Sequence, residues 1–209
     1  ETGCMLWPAA LLLSAWVVAH AEEFDDRHLL ELGAGVGLTG LVAATHSSAK
    51  SVTLTDSCPP TLHNLRENAE QLGSDFSPRV SVKRLDWNAV GGENGAWRDE
   101  QLLRADVVLA ADVVYDPDIL PALVRTLRVI LDESAAAAQR TDQQDVRALV
   151  ASERRSDSTW RCFEEQLAQH GLRQHDLSVE ARAIAASSVF FIPPTSLERM
   201  VLVELTTSR

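Results

Sequence analysis

The strongest constraint on this chain is the glycine-rich run from His28 to Gly40. A short apolar stretch, Leu29, Leu30 and Leu32, carries one acid, Glu31. It then breaks into Gly33, Gly35 and Gly37. Apolar residues at helical spacing (Leu38, Leu41, Val42) follow at once. Strand, tight turn and helix in that order form the first unit of an open α/β sheet. Glycines serve such a turn because the backbone bends sharply and a ligand approaches with no Cβ in its way. The run therefore predicts a nucleoside-containing ligand over the turn.

Two ligand classes compete for it. Gly35, Gly37 and Gly40 spell a dinucleotide fingerprint, and Asp56 closes the next apolar run. The turn already begins at Gly33, however, so the full pattern is an acid, Glu31, followed by glycines at alternate positions. A pyrophosphate favours helix N-terminal N–H groups and no nearby carboxylate. S-adenosylmethionine carries a sulfonium and an ammonium and no phosphate, which suits an acidic, glycine-lined pocket. The acid favours S-adenosylmethionine over NAD.

The rest of the chain alternates in the same way. A helix is expected from about Pro8 to His20, with Leu11, Leu12, Ala15, Val18 and Ala19 as its apolar stripe. After a charged link over Glu22 to Arg27 comes the first strand, and after the turn a helix to about His46. Strands are expected at Ser51–Thr55, Val80–Leu85, Ala105–Ala111, Ala148–Ser152, Gln174–Val179 and Met200–Thr206. Helices fall at Thr61–Leu72, about Asp118–Leu131 and Thr159–His170, with a polar, glycine-rich loop at Gly91–Asp99 and an Ala- and Gln-rich loop at Ser134–Gln144. The expected architecture is a Rossmann-like, seven-stranded, mostly parallel sheet with helices on both faces. The short span between the last two strands predicts a hairpin, and so one antiparallel strand.

Chemistry concentrates at the carboxyl ends of these strands. Asp56 there can accept from both ribose hydroxyls, with a helix cap before Pro59 and Pro60 as the plainer use. Trp87 follows the third strand and can stack on an adenine ring. Asp112 and Tyr115 end the fourth, nearly all-apolar strand, three residues apart on the same edge. Asp112 as a cap of the following helix is the alternative. Phe190, Phe191, Pro193 and Pro194 suit either a substrate lip or packing on the sheet edge, and Glu153-Arg154-Arg155, after the fifth strand, suits a contact with substrate, with a solvated charge cluster as the default reading.

A formal net charge of -11 argues against a nucleic-acid binder. The three cysteines form no CxxC, and the six histidines lack ligand spacing, so neither a disulfide framework nor a metal site is signalled. A reducing, cytoplasmic compartment is expected. Met5 to Ala21 is apolar and ends like a signal-peptide cleavage site, but it has no basic start, holds Trp7, Pro8 and Trp16, and is short for a membrane span. Glu1 is no initiator, so a piece of a longer protein, one domain over 1–209, is expected.

Four stretches resemble the seven-β-strand protein-lysine methyltransferases. They are Thr2-Gly3 with Trp7, Ala9 and Ala10; Leu30 through Gly40; Leu85-Asp86-Trp87; and Ala111 through Tyr115. Within that family the elongation factor 2 lysine methyltransferases are most alike, although Pro8 and Asn88 depart from the usual acids. The resemblance implies that Trp7 borders S-adenosylmethionine and that Gly33, Ala34 and Gly35 run under its methionine portion. It implies Glu31 near the ammonium, Asp56 on the ribose, Trp87 on the adenine and Ala111 in the pocket wall. Asp112 to Tyr115 would stand beside the target lysine of elongation factor 2, Asp112 orienting it and Tyr115 walling the channel. Family members also carry an additional N-terminal region. Another protein, a small-molecule substrate or a binding module without turnover stay open on fold alone.

Overall fold

The computed structural model describes residues 2–73, 75–76, 79–91, 99, 102–138 and 146–207. The elements are α1 (Pro8–Ala19), β1 (His28–Leu32), α2 (Leu38–His46), β2 (Ser51–Asp56), α3 (Pro59–Glu70), β3 (Val80–Arg84) and β4 (Val107–Ala111). They continue as α4 (Leu120–Ala138), β5 (Arg147–Glu153), α5 (Asp157–Gln169), β6 (Leu172–Asp176), α6 (Ser178–Ser187), α7 (Pro194–Leu197) and β7 (Met200–Thr207). The seven strands lie in the order β3-β2-β1-β4-β5-β7-β6. All neighbours are parallel except β7, which runs antiparallel to both β5 and β6.

Strand alternation sorts the core into two layers. Leu29, Val52, Leu54, Val107, Leu109 and Leu149 face α1, α2 and α6. Leu30, Leu32, Val108, Ala110, Ala148 and Val150 face α4 and α5. The strands read as continuous apolar runs because both faces are covered. Chain order reverses between β1 and β4, so the connections that leave their carboxyl ends depart to opposite faces and open a crevice.

Several expected boundaries shift for local reasons. The apolar run at the start is a core helix, with Ala9, Leu12, Leu13, Trp16 and Val17 buried; Val18 and Ala19, expected in the stripe, are exposed. Ala21–Phe24, which includes the start of the charged link, forms a 3-10 turn that buries Phe24. The α4 helix continues through Ala138, over the first residues of the expected Ala-rich loop, and 139–144 of that loop lie outside the described residues, as do 92–98 of the other. The expected strand at Gln174–Val179 stops at Asp176, whose carboxylate accepts from the Ser178 N–H at 2.8 Å and turns the chain into α6. That corrects the hairpin: β6 and β7 do pair antiparallel, but α6 and α7 stand between them. No helix among the described residues is long and apolar enough to cross a membrane.

Candidate active site

The crevice at the carboxyl ends of β1 and β4 holds a cavity of about 490 Å³. The carboxyl ends of β1 to β5 contribute to it: Gly33 and Gly35 after β1, Asp56 to Cys58 at β2, and Leu85 to Asn88 after β3. Ala111 to Val113 and Tyr115 follow from β4, and Arg155 from β5. Gly3 and Trp7 close the remaining side.

The glycine turn is held from below. Ala34 N–H donates to Thr55 O at 2.8 Å, and Asn68 of α3 donates to Val36 O at 2.9 Å. Gly33 has φ +60, and a Cβ there would lie 3.0 Å from Val113 Cγ1 and 3.3 Å from Trp87 Cζ2. A Cβ on Gly35, φ +55, would lie 3.2 Å from the Gly3 carbonyl oxygen. Glycine is required at both for conformation and for space. Asp56 faces the turn: its carboxylate accepts from Gly35 N–H at 3.2 Å and Cys58 N–H at 3.0 Å. The next helix opens with Pro59 and Pro60, which carry no N–H, so its N-terminus is a poor phosphate cradle.

Trp87 opens a 3-10 turn whose cap, Asp86, accepts from Asn88 N–H at 3.0 Å. Its carbonyl accepts from Thr126 of α4 at 3.4 Å, which seats the half-buried indole on the cavity floor. Asp112 is buried and has φ +57, a left-handed conformation that costs a non-glycine residue on the order of 1 kcal/mol. It does not cap α4, which starts at Leu120. Its N–H donates to Ala151 O at 2.8 Å, and Arg155 grips its carboxylate with two hydrogen bonds of 3.1 and 2.6 Å. Arg155 also reaches Glu153 at 3.2 Å and lies 5.2 Å over the Trp7 ring. Burial works against the Arg155 cation, but Asp112 and Glu153 outweigh it and hold the guanidinium above its ordinary pKa. Tyr115 is exposed at the rim; burial of its inner part and the charges of Asp116 and Asp56 raise its phenol pKa.

The family model for lysine methyltransferases matches residues 1–165. Protein-lysine N-methyltransferase EEF2KMT of Mus musculus is 34% identical over 180 residues, 82% of this chain. This chain belongs to the lysine methyltransferase family. The human EEF2KMT is 33% identical over 82% of the chain. The chain spans about half the length of these curated relatives, 50% and 52%. Among solved structures, precorrin-6y C5,15-methyltransferase from Geobacter metallireducens GS-15 superposes with a TM-score of 0.58 at 13% identity, covering 93% of this chain and 86% of that one. That likeness shows the fold.

Of the family positions read from sequence, Trp7, Gly33, Gly35, Asp56, Trp87, Ala111, Asp112 and Tyr115 all meet in the cavity. Glu31 and Ala34 do not line it. Glu31 shares Leu29's side of β1, so its side chain enters the layer under α2 and accepts from Gly40 N–H at 2.9 Å. Burial there raises its pKa to about 8, against the lowering effect of that hydrogen bond. Ala34 is buried behind the turn. The acids that face the cavity are Asp56, Asp86 and Asp112.

Arg155, for which the sequence offers substrate contact only as the alternative to a solvated cluster, lines the cavity. Its signal was position: a charged residue just past a central strand lands on the ligand edge. Thr61 and Gly3 were missed as neighbours; a Cβ on Gly3 would lie 2.3 Å from the buried Thr61 hydroxyl. A larger cleft of about 660 Å³ lies between α5 and the β6–β7 pair. Its side chains bond to one another (Arg154 to Asp157 at 2.8 Å, Trp160 to Glu164 at 3.0 Å), and no glycine turn reaches it. Among the described residues, no cluster of three or more His, Cys, Asp or Glu is placed to hold a metal.

Proposed function

We propose that the chain forms the single catalytic domain of an S-adenosylmethionine-dependent protein-lysine N-methyltransferase acting in the cytoplasm on elongation factor 2. One observation carries the reading. A glycine turn with a facing carboxylate (Gly33, Gly35, Asp56) shares one cavity with the Asp112-to-Tyr115 edge. The cavity volume lies in the range of small-molecule sites. Its donors and acids suit a ligand with ribose hydroxyls and positive charge, and the Pro59-Pro60 helix start suits one without phosphate.

In this reading Asp56 accepts from the ribose, Trp87 stacks on the adenine, and Trp7, Gly33, Gly35 and Ala111 enclose the methionine portion. Glu31 and Ala34 support the turn from behind it. When bound, the cofactor supplies an electrophilic methyl group on a sulfonium. The chain's own task is to admit a lysine amine in neutral form and in line. A lysine amine in water has a pKa of about 10.4, which desolvation between Tyr115 and the cavity wall lowers. Asp112 accepts an N–H of the amine; Arg155 and, at 3.5 Å, the Glu153 N–H occupy three of the roughly four acceptor positions of its carboxylate and leave one. Tyr115 walls the entrance, and alignment supplies most of the rate.

Asp56→Ala should weaken binding of S-adenosylhomocysteine about 10- to 100-fold by calorimetry, the loss of a charged acceptor for two hydroxyls. Unchanged affinity would remove Asp56 from the ribose. The decisive assay is transfer of a labelled methyl group to purified elongation factor 2, beside a whole-cell extract. Label on a lysine of the factor supports enzyme and substrate together. Label on another protein keeps the activity and discards the substrate. S-adenosylhomocysteine binding without transfer to any protein would refute turnover by this chain.

A further inference from the structure

A lysine methyltransferase faces a conflict that this cavity resolves in an unexpected way. The attacking amine must be neutral, yet a bare carboxylate at 3–4 Å would stabilise the ammonium and raise the amine's pKa by roughly 1–3 units. Asp112 stands where that carboxylate effect would act, if the amine enters as proposed above. Its side chain is only 3% exposed, so little solvent screens it.

We propose that Arg155 is a positioning residue that cancels the Asp112 charge, so that Asp112 orients the amine as a hydrogen-bond acceptor without holding it protonated. The inference rests on the methyltransferase reading and adds a residue to it. Three observations support it. Arg155 is the one cation lining the cavity among the described residues. Its two terminal nitrogens meet the two Asp112 oxygens in fork geometry, at 3.1 and 2.6 Å, which an ammonium could not reproduce. The guanidinium is itself fixed, by Glu153 at 3.2 Å on one side and the Trp7 ring 5.2 Å beneath it. Glu153, buried at the end of β5, is paired in turn with Arg199 just before β7.

The surrounding charges leave the pair balanced. Asp112 and Glu153 are matched by Arg155 and Arg199. Arg154, which with Tyr115 and Glu153 lines a small pocket behind the rim, is bonded to Asp157 at 2.8 Å. Tyr115 and Asp116 stand on the β4 side, and Asp56 and Asp86 on the opposite wall. Removing Arg155 therefore uncovers one negative charge on Asp112. The same pair holds Asp112 in its left-handed conformation, since both carboxylate oxygens are tied to the end of β5.

The test is the pH profile of kcat for methyl transfer, whose acidic limb reports ionisation in the substrate complex. Arg155→Ala should move that limb upward by about 1–2 pH units, a 10- to 100-fold loss at fixed pH below it. Adding Asp112→Asn to Arg155→Ala should return the limb to its wild-type position, because both charges are then absent. Arg155→Lys should shift it less than Arg155→Ala, since it keeps the charge and loses the fork. S-adenosylhomocysteine affinity, measured by calorimetry on each variant, reports folding and the cofactor side independently. An unmoved limb in Arg155→Ala, or a shifted limb that Asp112→Asn does not restore, overturns the charge-cancelling role and leaves the methyltransferase reading standing. If Arg155→Ala does not fold, the double variant and Arg155→Lys decide: a double variant with a shifted limb refutes the proposal. Wild-type chain that binds S-adenosylhomocysteine and transfers no methyl group defeats the underlying reading, and the inference with it.

Discussion

Gly33→Ala is expected to abolish S-adenosylhomocysteine binding, at least 100-fold in Kd, while the chain still folds. Two effects act together. The residue has φ +60, where an alanine is strained by roughly 1–2 kcal/mol. Its new Cβ would stand 3.0 Å from Val113 Cγ1 and 3.3 Å from the Trp87 ring. Both neighbours belong to the cavity, so relief of the contact pushes Trp87 or the Val113 turn into ligand space. The strain lowers the stability of free and bound chain alike and shows in the melt; the displaced wall acts on binding, where a 100-fold loss corresponds to about 2.8 kcal/mol, since 1.4 kcal/mol is tenfold in affinity. Calorimetry on the variant, with a thermal melt beside it, is the check. A folded Gly33→Ala chain that binds with wild-type affinity would place the ligand elsewhere.

Glu31→Gln is expected to remove a loss of stability that the chain suffers as pH rises from 4.5 to about 8. Burial under α2 raises the Glu31 carboxyl from 4.5 to about 8, because ionisation there strips it of water while the Gly40 N–H and the Thr39 hydroxyl offer only part compensation. The sign follows from the raised value. Below pH 4.5 the folded and unfolded chains both hold the proton, and the stability is fully present. Between pH 4.5 and about 8 the unfolded chain releases the proton and the folded chain keeps it, so stability falls as pH rises. The full loss is on the order of 5 kcal/mol. Glutamine keeps the shape and the acceptor for Gly40 and has no proton to lose. Its amide N–H₂ costs about 1–3 kcal/mol if unpaired, so the variant should be the weaker at pH 4.5 and the stronger at pH 8.5. Denaturant midpoints at the two pH values decide it. Parallel pH dependence in the two proteins would mean that Glu31 is ionised and solvated in the fold.

Much of this fold is legible because its signals are local. A βαβ order follows from apolar periods and glycine punctuation, and all seven strands lie within a few residues of their expected positions. The errors fall where one side chain or a helix end overrides the period. The Asp176 carboxylate turns the sixth strand into α6 early, and an Ala-rich segment that resembles a loop simply prolongs α4. The β6–β7 connection fails as a hairpin because the length of a span does not say how much helix it contains.

The site divides along the same line. Gly33, Gly35, Asp56, Trp87, Asp112 and Tyr115 could be read from the chain because each lies at or just past the carboxyl end of a strand, and parallel strands deliver their carboxyl ends to one edge by topology alone. Glu31 is the instructive exception. It argued for a positively charged ligand as an acid beside the turn, yet it is buried behind the turn with a raised pKa, and Asp56, Asp86 and Asp112 supply the cavity's negative charge. Which way an acid points depends on the parity of its strand and on what covers that face. Motif spacing sets neither. The pairing of Asp112 with Arg155 spans 43 residues and two strand ends. No local pattern encodes it, because it exists only once β4 and β5 lie side by side. Residue order along the chain thus sufficed for the sheet, the turn and the edge where chemistry gathers. Whether a given charge there is bare, paired or buried was settled by packing, since burial and partners determine the state of an ionisable group more than its identity does.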